Sequence, residues 1–431
     1  ASYPKTWQPS LVYFLHSQEK ALPLWLIIIK PYIKMKEATI TENIYYIGVD
    51  DTDIDLFESQ YPVPDGISYN SYLIMDDRIA IMDTVDRRKS TDWWNNIERL
   101  LGDRTPDYLI VQHMEPDHTG TIAEAVERYP KLQVVASARA VQMLPQFFGA
   151  TDFTLRTIAV KEGDTLNLGQ HTLQFMMAPM VHWPEVMTTY EQTERIIFSA
   201  DAFGTFGALG STLICNGTDN VPAWPDEARR YYYNICGKYG APVQTLLKKL
   251  ATLNIDIICP LHGPVLTADP SHYINLYDQW SRYEAETEGI LIAFATIHGG
   301  TRHTAHYMAD LLRDKGASEV TLIELSRCDM SMAVAEAFRH KRLIVAASSY
   351  DASVFPPMYD FLHHLQLKGY QKRRVGIIEN GSWAPTAGRV MKEMLEKMKD
   401  LDIVTPIVTI RSTLKPTDYP NMETLADAIL A

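Results

Sequence analysis

The most informative stretch of the chain reads Tyr108-Leu-Ile-Val-Gln112 and then His113-Met-Glu-Pro-Asp-His118. The first five residues form an apolar run, which predicts a buried strand. The next six residues hold two imidazoles and two carboxylates, the ligand types that borderline metal ions prefer. A tight loop at the end of a strand can aim several of these groups at one point. The pattern therefore favours a metal site over a solvated polar loop.

Three further candidate ligands each stand directly after an apolar run: His182, Asp201 and His262. Strand ends converge on one edge of a sheet, so these side chains can meet although they are distant in sequence. The complete candidate set holds four histidines and three carboxylates: His113, Glu115, Asp117, His118, His182, Asp201 and His262. One metal ion rarely needs seven such ligands, whereas two ions that share a bridging carboxylate would use them all.

The order of these residues resembles that of the metallo-β-lactamase fold. Most of that family has His where this chain has Glu115, and the Glu resembles the flavodiiron proteins. A carboxylate in place of an imidazole makes the site harder and more anionic, which suits iron. No catalytic residue beyond the metal ligands is predicted.

The resemblance also implies how the ligands divide between two iron ions. One ion would take His113, Glu115 and His182. The other would take Asp117, His118 and His262, although the counterpart of His118 does not bind metal in every relative. Asp201 would bridge the two ions. Asp83, at the end of an apolar run, is predicted either to orient a ligand histidine or to be a turn residue.

The second half of the chain contains a phosphate-loop pattern. An apolar run over Gly289–Phe294 leads into Thr296-Ile-His-Gly-Gly-Thr301, and a helical pattern follows and ends at Gly316. Backbone N–H groups at a helix N-terminus attract a phosphate, and the hydroxyls add donors. The loop has no Lys, so it is not a nucleoside-triphosphatase loop. It resembles the T-x-x-G-x-T loop of flavodoxins.

Two later loops strengthen the flavodoxin resemblance, because each follows a predicted strand at the edge where open α/β sheets bind ligands. Tyr350 and Trp383 are candidates for stacking on a flavin ring, with plain core packing as the alternative for each. FMN is therefore predicted to contact three loops: Thr296, Ile297, His298, Gly299, Gly300, Thr301; Ser348, Ser349, Tyr350, Asp351, Ala352; and Asn380, Gly381, Ser382, Trp383.

These patterns predict an α/β chain with two domains. Residues 35–288 would form a metallo-β-lactamase-like αββα sandwich ending in a helical connector from Tyr273, and residues 289–431 a flavodoxin-like doubly wound parallel sheet. Residues 1–34 match neither pattern and are interpreted as an N-terminal extension. Its apolar run, Leu22–Ile29, is too short to cross a bilayer, and an amphipathic segment that touches a membrane is the alternative.

Composition agrees with a cytoplasmic two-domain enzyme. The length of 431 residues suits two cores, and 46% hydrophobic and 22% charged residues are ordinary globular values. A formal net charge of −13 argues against a nucleic-acid partner. The four isolated cysteines indicate a reducing compartment. No C-x-x-C pair is present, so a built-in rubredoxin module is excluded and an external electron carrier, rubredoxin or a flavin reductase, is expected.

A flavin beside a di-iron site makes sense if electrons pass from one to the other. The resemblance therefore implies an oxidoreductase that reduces O2 to water, NO to N2O, or both. It also implies a head-to-tail homodimer, or a tetramer built from it, in which the flavin of one chain meets the iron site of its partner. The alternatives are a di-iron O2 sensor without turnover and a dizinc hydrolase with an appended flavodoxin domain.

Overall fold

The structure is a computed structural model that describes residues 38–216 and 224–431. The predicted extension over residues 1–34, and residue 35 where the first domain was predicted to begin, lie outside the described residues. No helix in the described part of the chain has the length and apolar character that a bilayer crossing requires.

The first part of the chain contributes two large sheets and two short hairpin-like pairs. Its strands are β1 (Ile44–Tyr46), β2 (Val49–Asp51), β3 (Leu56–Phe57), β4 (Tyr61–Pro62), β5 (Ile67–Tyr69), β6 (Tyr72–Ile74), β7 (Ala80–Met82), β8 (Tyr108–Val111), β9 (Gln133–Ser137), β10 (Thr157–Val160), β11 (Thr165–Asn167), β12 (Thr172–Met177), β13 (Met187–Glu191), β14 (Ile196–Phe198), β15 (Ile214–Cys215), β16 (Ile257–Cys259) and β17 (Val265–Leu266).

The last part of the chain contributes a third sheet. Its strands are β18 (Thr287–Ala295), β19 (Val320–Glu324), β20 (His340–Tyr350), β21 (Ser353–Val354), β22 (Arg373–Asn380), β23 (Leu401–Ile403) and β24 (Val408–Ile410). The α-helices of the described residues are α1 (Ser90–Leu101), α2 (Pro116–Thr119), α3 (Ile122–Arg128), α4 (Ala138–Phe147), α5 (Trp224–Ile235), α6 (Gly240–Leu250), α7 (Pro270–Ser281), α8 (Gly300–Asp314), α9 (Met330–Arg339), α10 (Pro356–Leu367), α11 (Ala387–Leu395) and α12 (Tyr419–Leu430).

The first two sheets face each other and form a sandwich. Their strand orders are β1-β6-β7-β8-β9-β10 and β11-β12-β13-β14-β16-β17-β15. Side chains alternate between the two faces of each strand. In β8, Ile110 points into the cluster between the sheets, where Phe175 and Phe198 of the second sheet also lie. Its neighbours Leu109 and Val111 belong to the outer cluster that includes residues of the covering helices. The predicted αββα sandwich is confirmed.

The third sheet is doubly wound. Its main order is β19-β18-β20-β22-β23, and these neighbours pair in parallel. This is the 2-1-3-4-5 order of flavodoxin-like sheets, with the ligand site at the carboxyl ends of the strands. Along β18, Ile290 and Ile292 pack with α8 and α12 residues, whereas Leu291 and Ala293 face the opposite cluster. The predicted flavodoxin-like sheet is confirmed.

Two predicted elements have different limits in the structure. The helical connector predicted from Tyr273 to Glu288 is helix α7, which ends at Ser281, because β18 already begins at Thr287. The apolar run before His182 is a strand only as far as Met177. Pro179 lacks a backbone N–H and cannot continue a strand ladder, so His182 lies on a loop rather than at the strand end.

A buried ion pair joins the turn between β11 and β12 to the turn between β6 and β7. His171 Nδ1 lies 2.8 Å from Asp76 Oδ2, which also accepts a 2.7 Å hydrogen bond from the His171 backbone N–H. Burial raises the pKa of Asp76, but hydrogen bonds from the His171 and Gln170 backbones outweigh it and lower the pKa to about 2. Burial lowers the pKa of His171, yet Asp76 and Glu194 raise it above its ordinary value.

We expect Asp76→Ala to lower the free energy of unfolding by about 3 kcal/mol near pH 6, because it leaves buried donors unpaired. The Asp76 contribution is present above its ordinary pKa of 3.8 and is lost as the pH falls through about 2. The His171 contribution is present below its ordinary pKa of 6.5 and is lost as the pH rises through its raised pKa.

Urea unfolding at about pH 6 and about pH 3 checks this, with the penalty of Asp76→Ala smaller at the lower pH. Asp77→Ala is the matched control, since Asp77 is the exposed neighbour of Asp76. A penalty that stays constant over this range would contradict the assigned pKa of Asp76.

Candidate metal centre and flavin pocket

The loop after β8 carries four of the seven predicted metal ligands. Pro116 at the first position of the four-residue helix α2 fixes a backbone angle suited to a helix start. The single turn that follows holds Asp117 and His118, both buried, next to Glu115 in the residue before the helix. A short strand, a proline and one helical turn thus bring His113 and these three side chains to one place.

His113, Glu115, His182 and Asp201 form the first group, with one ligand atom from each lying within 4.8 Å of the others. Glu115 Oε2 lies 3.2 Å from both His113 Nε2 and His182 Nε2. Asp201 Oδ2 lies 3.0 Å from His182 Nε2 and 3.4 Å from His113 Nε2. Ligand atoms about 2 Å from one ion are about 3 Å apart, so the spacing suits a metal.

Asp117, His118 and His262 form the second group. Asp117 Oδ2 lies 3.2 Å from His262 Nε2 and 3.4 Å from His118 Nε2. Asp201 reaches this group with its other oxygen, because Oδ1 lies 3.1 Å from His118 Nε2 and 3.8 Å from His262 Nε2. The carboxylate of Asp201 therefore faces both groups, one oxygen to each, as a bridging ligand would.

Several buried polar atoms of these residues have no hydrogen-bond partner within residues 38–216 and 224–431. They are both carboxylate oxygens of Asp117, both ring nitrogens of His118, Oδ1 of Asp201 and Nε2 of His262. Buried polar groups are nearly always satisfied, so a cluster of unpaired acceptors and imidazoles marks a site for a cation. The donor set of imidazoles and carboxylates fits two iron ions.

Groups behind the ligands orient the imidazoles. His113 Nδ1 lies 2.9 Å from Glu185 Oε1, and His262 Nδ1 donates to the Ser68 carbonyl at 2.7 Å. Each bond turns Nε2 of its ring toward the site, which is how such partners commonly fix metal-binding histidines. Glu185 is itself buried and also accepts from the Met114 backbone N–H. Neither Glu185 nor Ser68 was predicted from the sequence to have a role.

Asp83 supports the ligand loop but does not contact a ligand ring. Its carboxylate accepts from the Gln112 backbone N–H at 2.7 Å and from the Gln112 side chain at 2.8 Å. Burial raises its pKa to about 6, against the lowering effect of these hydrogen bonds. Asp83 directly follows β7 with a φ of 53°, as in the turn alternative, and its carboxylate binds Gln112, the residue before His113, rather than a ligand histidine.

Without metal, the neighbouring carboxylates raise the pKa values of His113, His118 and His182 and so favour their protonated forms. Burial lowers the pKa of His182, but hydrogen bonds with Asp201 and Glu115 outweigh this effect and raise it to about 9. Burial raises the pKa of Asp201, yet the surrounding imidazoles hold it well below its usual range. Metal ions would replace those protons, so metal binding releases protons and weakens as the pH falls.

We expect Glu185→Gln to weaken metal affinity or activity by about 10- to 100-fold, because the amide keeps the shape but removes the charge that polarises His113. Iron titration followed by absorbance checks this. Glu162→Gln is the control, since Glu162 is a half-exposed carboxylate that pairs with Lys249. Unchanged iron affinity in Glu185→Gln would contradict the orienting role.

The second candidate site is a cavity of about 620 Å³ at the carboxyl ends of the third sheet. It is lined by thirteen of the predicted flavin residues: Ile297, His298, Gly300, Thr301, Ser348, Ser349, Tyr350, Asp351, Ala352, Asn380, Gly381, Ser382 and Trp383. Of the other two, Thr296 accepts a 3.0 Å hydrogen bond from the Gly299 N–H and so shapes the loop. Gly299 has a φ of 88°, which a glycine adopts readily.

Three residues that line the cavity, Ala384, Thr386 and Ser412, were not predicted from the sequence. Ser412 belongs to a fourth loop, after β24, and Asn380 binds it through two hydrogen bonds between the Asn380 side chain and the Ser412 backbone. In the sequence, the polar segment Arg411-Ser-Thr413 directly after an apolar run could have indicated this loop. Trp383 is 88% exposed and Tyr350 44% exposed, so neither has the burial that the core-packing alternative requires.

Comparison with known proteins agrees with this geometry. The family model described as ODP family beta lactamase matches residues 67–263. The nitric oxide reductase of Moorella thermoacetica is 30% identical over 403 residues, covering 91% of this chain and 98% of that protein. The anaerobic nitric oxide reductase flavorubredoxin of Aliivibrio fischeri is 28% identical over 349 residues, covering 80% of this chain and 69% of that protein.

A similar fold is found among solved structures. The rubredoxin oxygen:oxidoreductase of Desulfovibrio gigas superposes with a TM-score of 0.85 at 24% sequence identity, covering 91% of this chain and 97% of that one. At this level of sequence identity, the similarity shows the fold alone. That fold combines the two kinds of domain that the sequence predicts.

Proposed function

Because the chain belongs to the flavodiiron protein family, we propose that it is an oxidoreductase that reduces O2 to water, NO to N2O, or both. The names of its relatives support both substrates, since they include nitric oxide reductases and a rubredoxin oxygen:oxidoreductase. The orientation of Asp201, with one carboxylate oxygen toward each ligand group, is the observation that carries the proposal.

The proposed metal ligands are those of the predicted set. His113, Glu115 and His182 would hold one iron, and Asp117, His118 and His262 the other, with Asp201 between them. Bound iron would supply a centre that accepts electrons and binds a diatomic molecule. A cavity of about 260 Å³, lined in part by Phe57, Tyr69, Glu115 and Asp117, leads to the ligands and has room for a diatomic substrate.

The proposed flavin is FMN. Its phosphate would lie at the N-terminus of α8, where Thr301 Oγ1 and Ser348 Oγ stand 2.9 Å apart. Its ring would lie near Tyr350 and Trp383, whose exposure leaves flat apolar walls available to it. Bound FMN would supply one-electron exchange with a carrier such as rubredoxin or a flavin reductase.

We infer a head-to-tail homodimer as the working unit. Within one chain, the metal ligands and the lining of the FMN cavity have no residue in common among the described residues. A twofold pair that sets one FMN against the other chain's metal ligands would bring the two groups together. A tetramer built from such pairs is compatible with the same contact.

The same proposal divides the chain into a metal-binding domain over residues 35–288 and an FMN-binding domain over residues 289–431. The start of β18 at Thr287 supports a boundary in this region. We also infer a reducing compartment, the cytoplasm, which is supported by four free cysteines: Cys215, Cys236, Cys259 and Cys328.

Metal and flavin content, measured on protein purified without oxygen, tests the proposal. We expect two irons and one FMN per chain, followed by consumption of O2 or NO when a reductant is supplied. Two zinc ions without flavin would overturn the proposal in favour of a hydrolase. Iron and FMN without consumption of either gas would overturn it in favour of a sensor.

A further inference from the structure

Tyr and Trp side chains are concentrated beside the metal ligands. Residues 224–283 hold nine of the chain's 31 Tyr and Trp residues, about twice their share by length. Most of the nine lie on helices α5 and α7, and their rings are buried. Such rings can simply fill a core. Their order in space, however, leads from the metal ligands toward the surface.

The inner end of this aromatic group touches the metal site at two points. The ring of Tyr231 lies 5.6 Å from the imidazole of His262, measured between centroids. Tyr277 Oη accepts a 2.6 Å hydrogen bond from the backbone N–H of Phe203, two residues after Asp201. The rings of Phe203 and Tyr277 are 4.3 Å apart. The ring of His262 therefore has an aromatic neighbour, and the loop that carries Asp201 is hydrogen-bonded to another aromatic residue, Tyr277.

The middle of the group is continuous. Tyr277 lies 5.0 Å from Tyr232 and 5.5 Å from Trp280, and Tyr232 lies 5.4 Å from Trp280. The outer end passes from Tyr233 through the stacked ring of Phe338, at 4.0 Å, to Tyr283, at 6.4 Å from Phe338. Tyr283 is half-buried, so it connects the chain of rings with solvent.

Trp280 is the ring in this group that is best placed to lose an electron. A tyrosine or tryptophan that is oxidised becomes a far stronger acid, so a neutral radical forms readily only where a base can take its proton. The hydroxyls of Tyr231, Tyr232 and Tyr233 have no hydrogen-bond partner among the described residues. The indole N–H of Trp280, in contrast, donates to the Glu286 carboxylate at 2.7 Å. Glu286 also binds Arg229, which keeps the carboxylate in place.

We propose that Trp280 is a redox-active residue that supplies an electron to the metal centre when the flavin cannot. This inference rests on the proposed function. Reduction of O2 to water takes four electrons, and the metal centre would lack some of them if the FMN of the partner chain is already oxidised. Trp280 would then give one electron to the centre through Tyr277, and its indole proton would pass to Glu286, leaving a neutral indolyl radical. An external thiol at Tyr283 would return one electron and release its own proton to solvent, becoming a thiyl radical that ends in a disulfide with a second thiol. Glu286 would return the indole proton.

The advantage of this arrangement is protection of the ligands. An incompletely reduced centre would oxidise side chains beside it, which include the histidines, Tyr231 and Trp183, whose ring lies 5.2 Å from that of His113. An electron from Trp280 moves the oxidising equivalent away from His262 and Tyr231 to a residue connected with the surface. Aromatic residues that only fill the core would not move the oxidising equivalent away from the ligands.

The test uses the holoenzyme loaded with iron and FMN and reduced with half the electrons that O2 requires. After exposure to O2 and rapid freezing, we expect an indolyl-radical EPR signal in the unmodified protein and its loss in Trp280→Phe. Narrowing of the signal in protein labelled with ring-deuterated tryptophan distinguishes it from a flavin semiquinone. Peptide mass spectrometry is expected to show a several-fold rise in oxidised His262 and Tyr231 in that variant. Trp93→Phe is the matched control, because Trp93 is equally buried but donates to a serine hydroxyl, Ser71, at 3.0 Å.

An indolyl-radical signal of equal intensity in Trp280→Phe would overturn the inference, and so would the absence of an indolyl-radical signal in unmodified protein that binds iron and consumes O2. Both results leave the proposed function standing. Iron content and turnover with excess reductant are therefore measured on the same samples. A Trp280→Phe protein that has lost iron is replaced by Glu286→Gln, which leaves the indole in place but removes the carboxylate that takes its proton, and which is expected to lose the same signal. Failure of the unmodified protein to bind iron would overturn both proposals.

Discussion

Replacing Asp201 with alanine is expected to reduce the consumption of O2 and NO by at least about 100-fold, because metal ligands act as a unit. The two oxygens of Asp201 face different ligand groups, at 3.0 Å from His182 Nε2 and 3.1 Å from His118 Nε2. Its loss removes the one carboxylate that both groups share and leaves four imidazoles close together. Iron per chain, measured after anaerobic reconstitution, should fall with activity.

The control for this experiment is Asp256→Ala. Asp256 is an exposed carboxylate that pairs with Arg195 at the surface, so its removal changes net charge equally without touching the site. FMN content should be unchanged in both variants, which shows that the flavodoxin-like part has folded. An Asp201→Ala protein that keeps two irons and full turnover would refute the assigned metal site.

Gly300→Ala is expected to weaken FMN binding by about 10- to 100-fold, the equivalent of about 1–3 kcal/mol of overpacking. A Cβ on Gly300 would lie 2.4 Å from the Ser412 backbone oxygen and 3.2 Å from Asn380 Nδ2. Ser412 and Asn380 both line the cavity, and their mutual hydrogen bonds hold the fourth loop in place. Relief of the clash must therefore move the wall of the flavin site.

Gly316→Ala separates this effect from loss of helix stability. Gly316 lies just beyond the other end of α8, with a φ of 92°, and a Cβ added there would meet nothing within 4 Å. An added side chain at this position strains the backbone but crowds no neighbour. Fluorescence titration of the flavin-free protein with FMN measures both variants. Equal FMN affinities for Gly300→Ala and Gly316→Ala would contradict the proposed flavin site.

Together the Asp201→Ala and Gly300→Ala variants test the head-to-tail dimer. Co-expressed chains of the two kinds should form mixed dimers in which an intact FMN site faces an intact metal site across the interface. At limiting FMN, the activity of the mixed dimers is then expected to exceed that of either variant measured alone. If electrons passed within one chain, mixing would restore nothing.

Much of the fold was predictable because it depends on local patterns. The alternation in β8 and the apolar runs of β18, β20 and β22 identify buried strands, and the Gly/Thr loop before α8 identifies a phosphate cradle. The run from His113 to His118 holds four ligand-type side chains within six residues. The sequence alone therefore predicts both which side chains these are and that they lie near one another in space. Glu115 in that run is also the residue on which the prediction of iron rather than zinc rests.

Only the tertiary structure decided how these parts meet. His262 is oriented by the carbonyl of Ser68, 194 residues earlier, and His113 by Glu185, 72 residues later. No local spacing encodes such pairs, because they form when two sheets pack face to face. The same is true of Ser412 in the flavin cavity and of the two-sided position of Asp201. Local sequence determined which groups are available, and packing between distant segments determined where their atoms point.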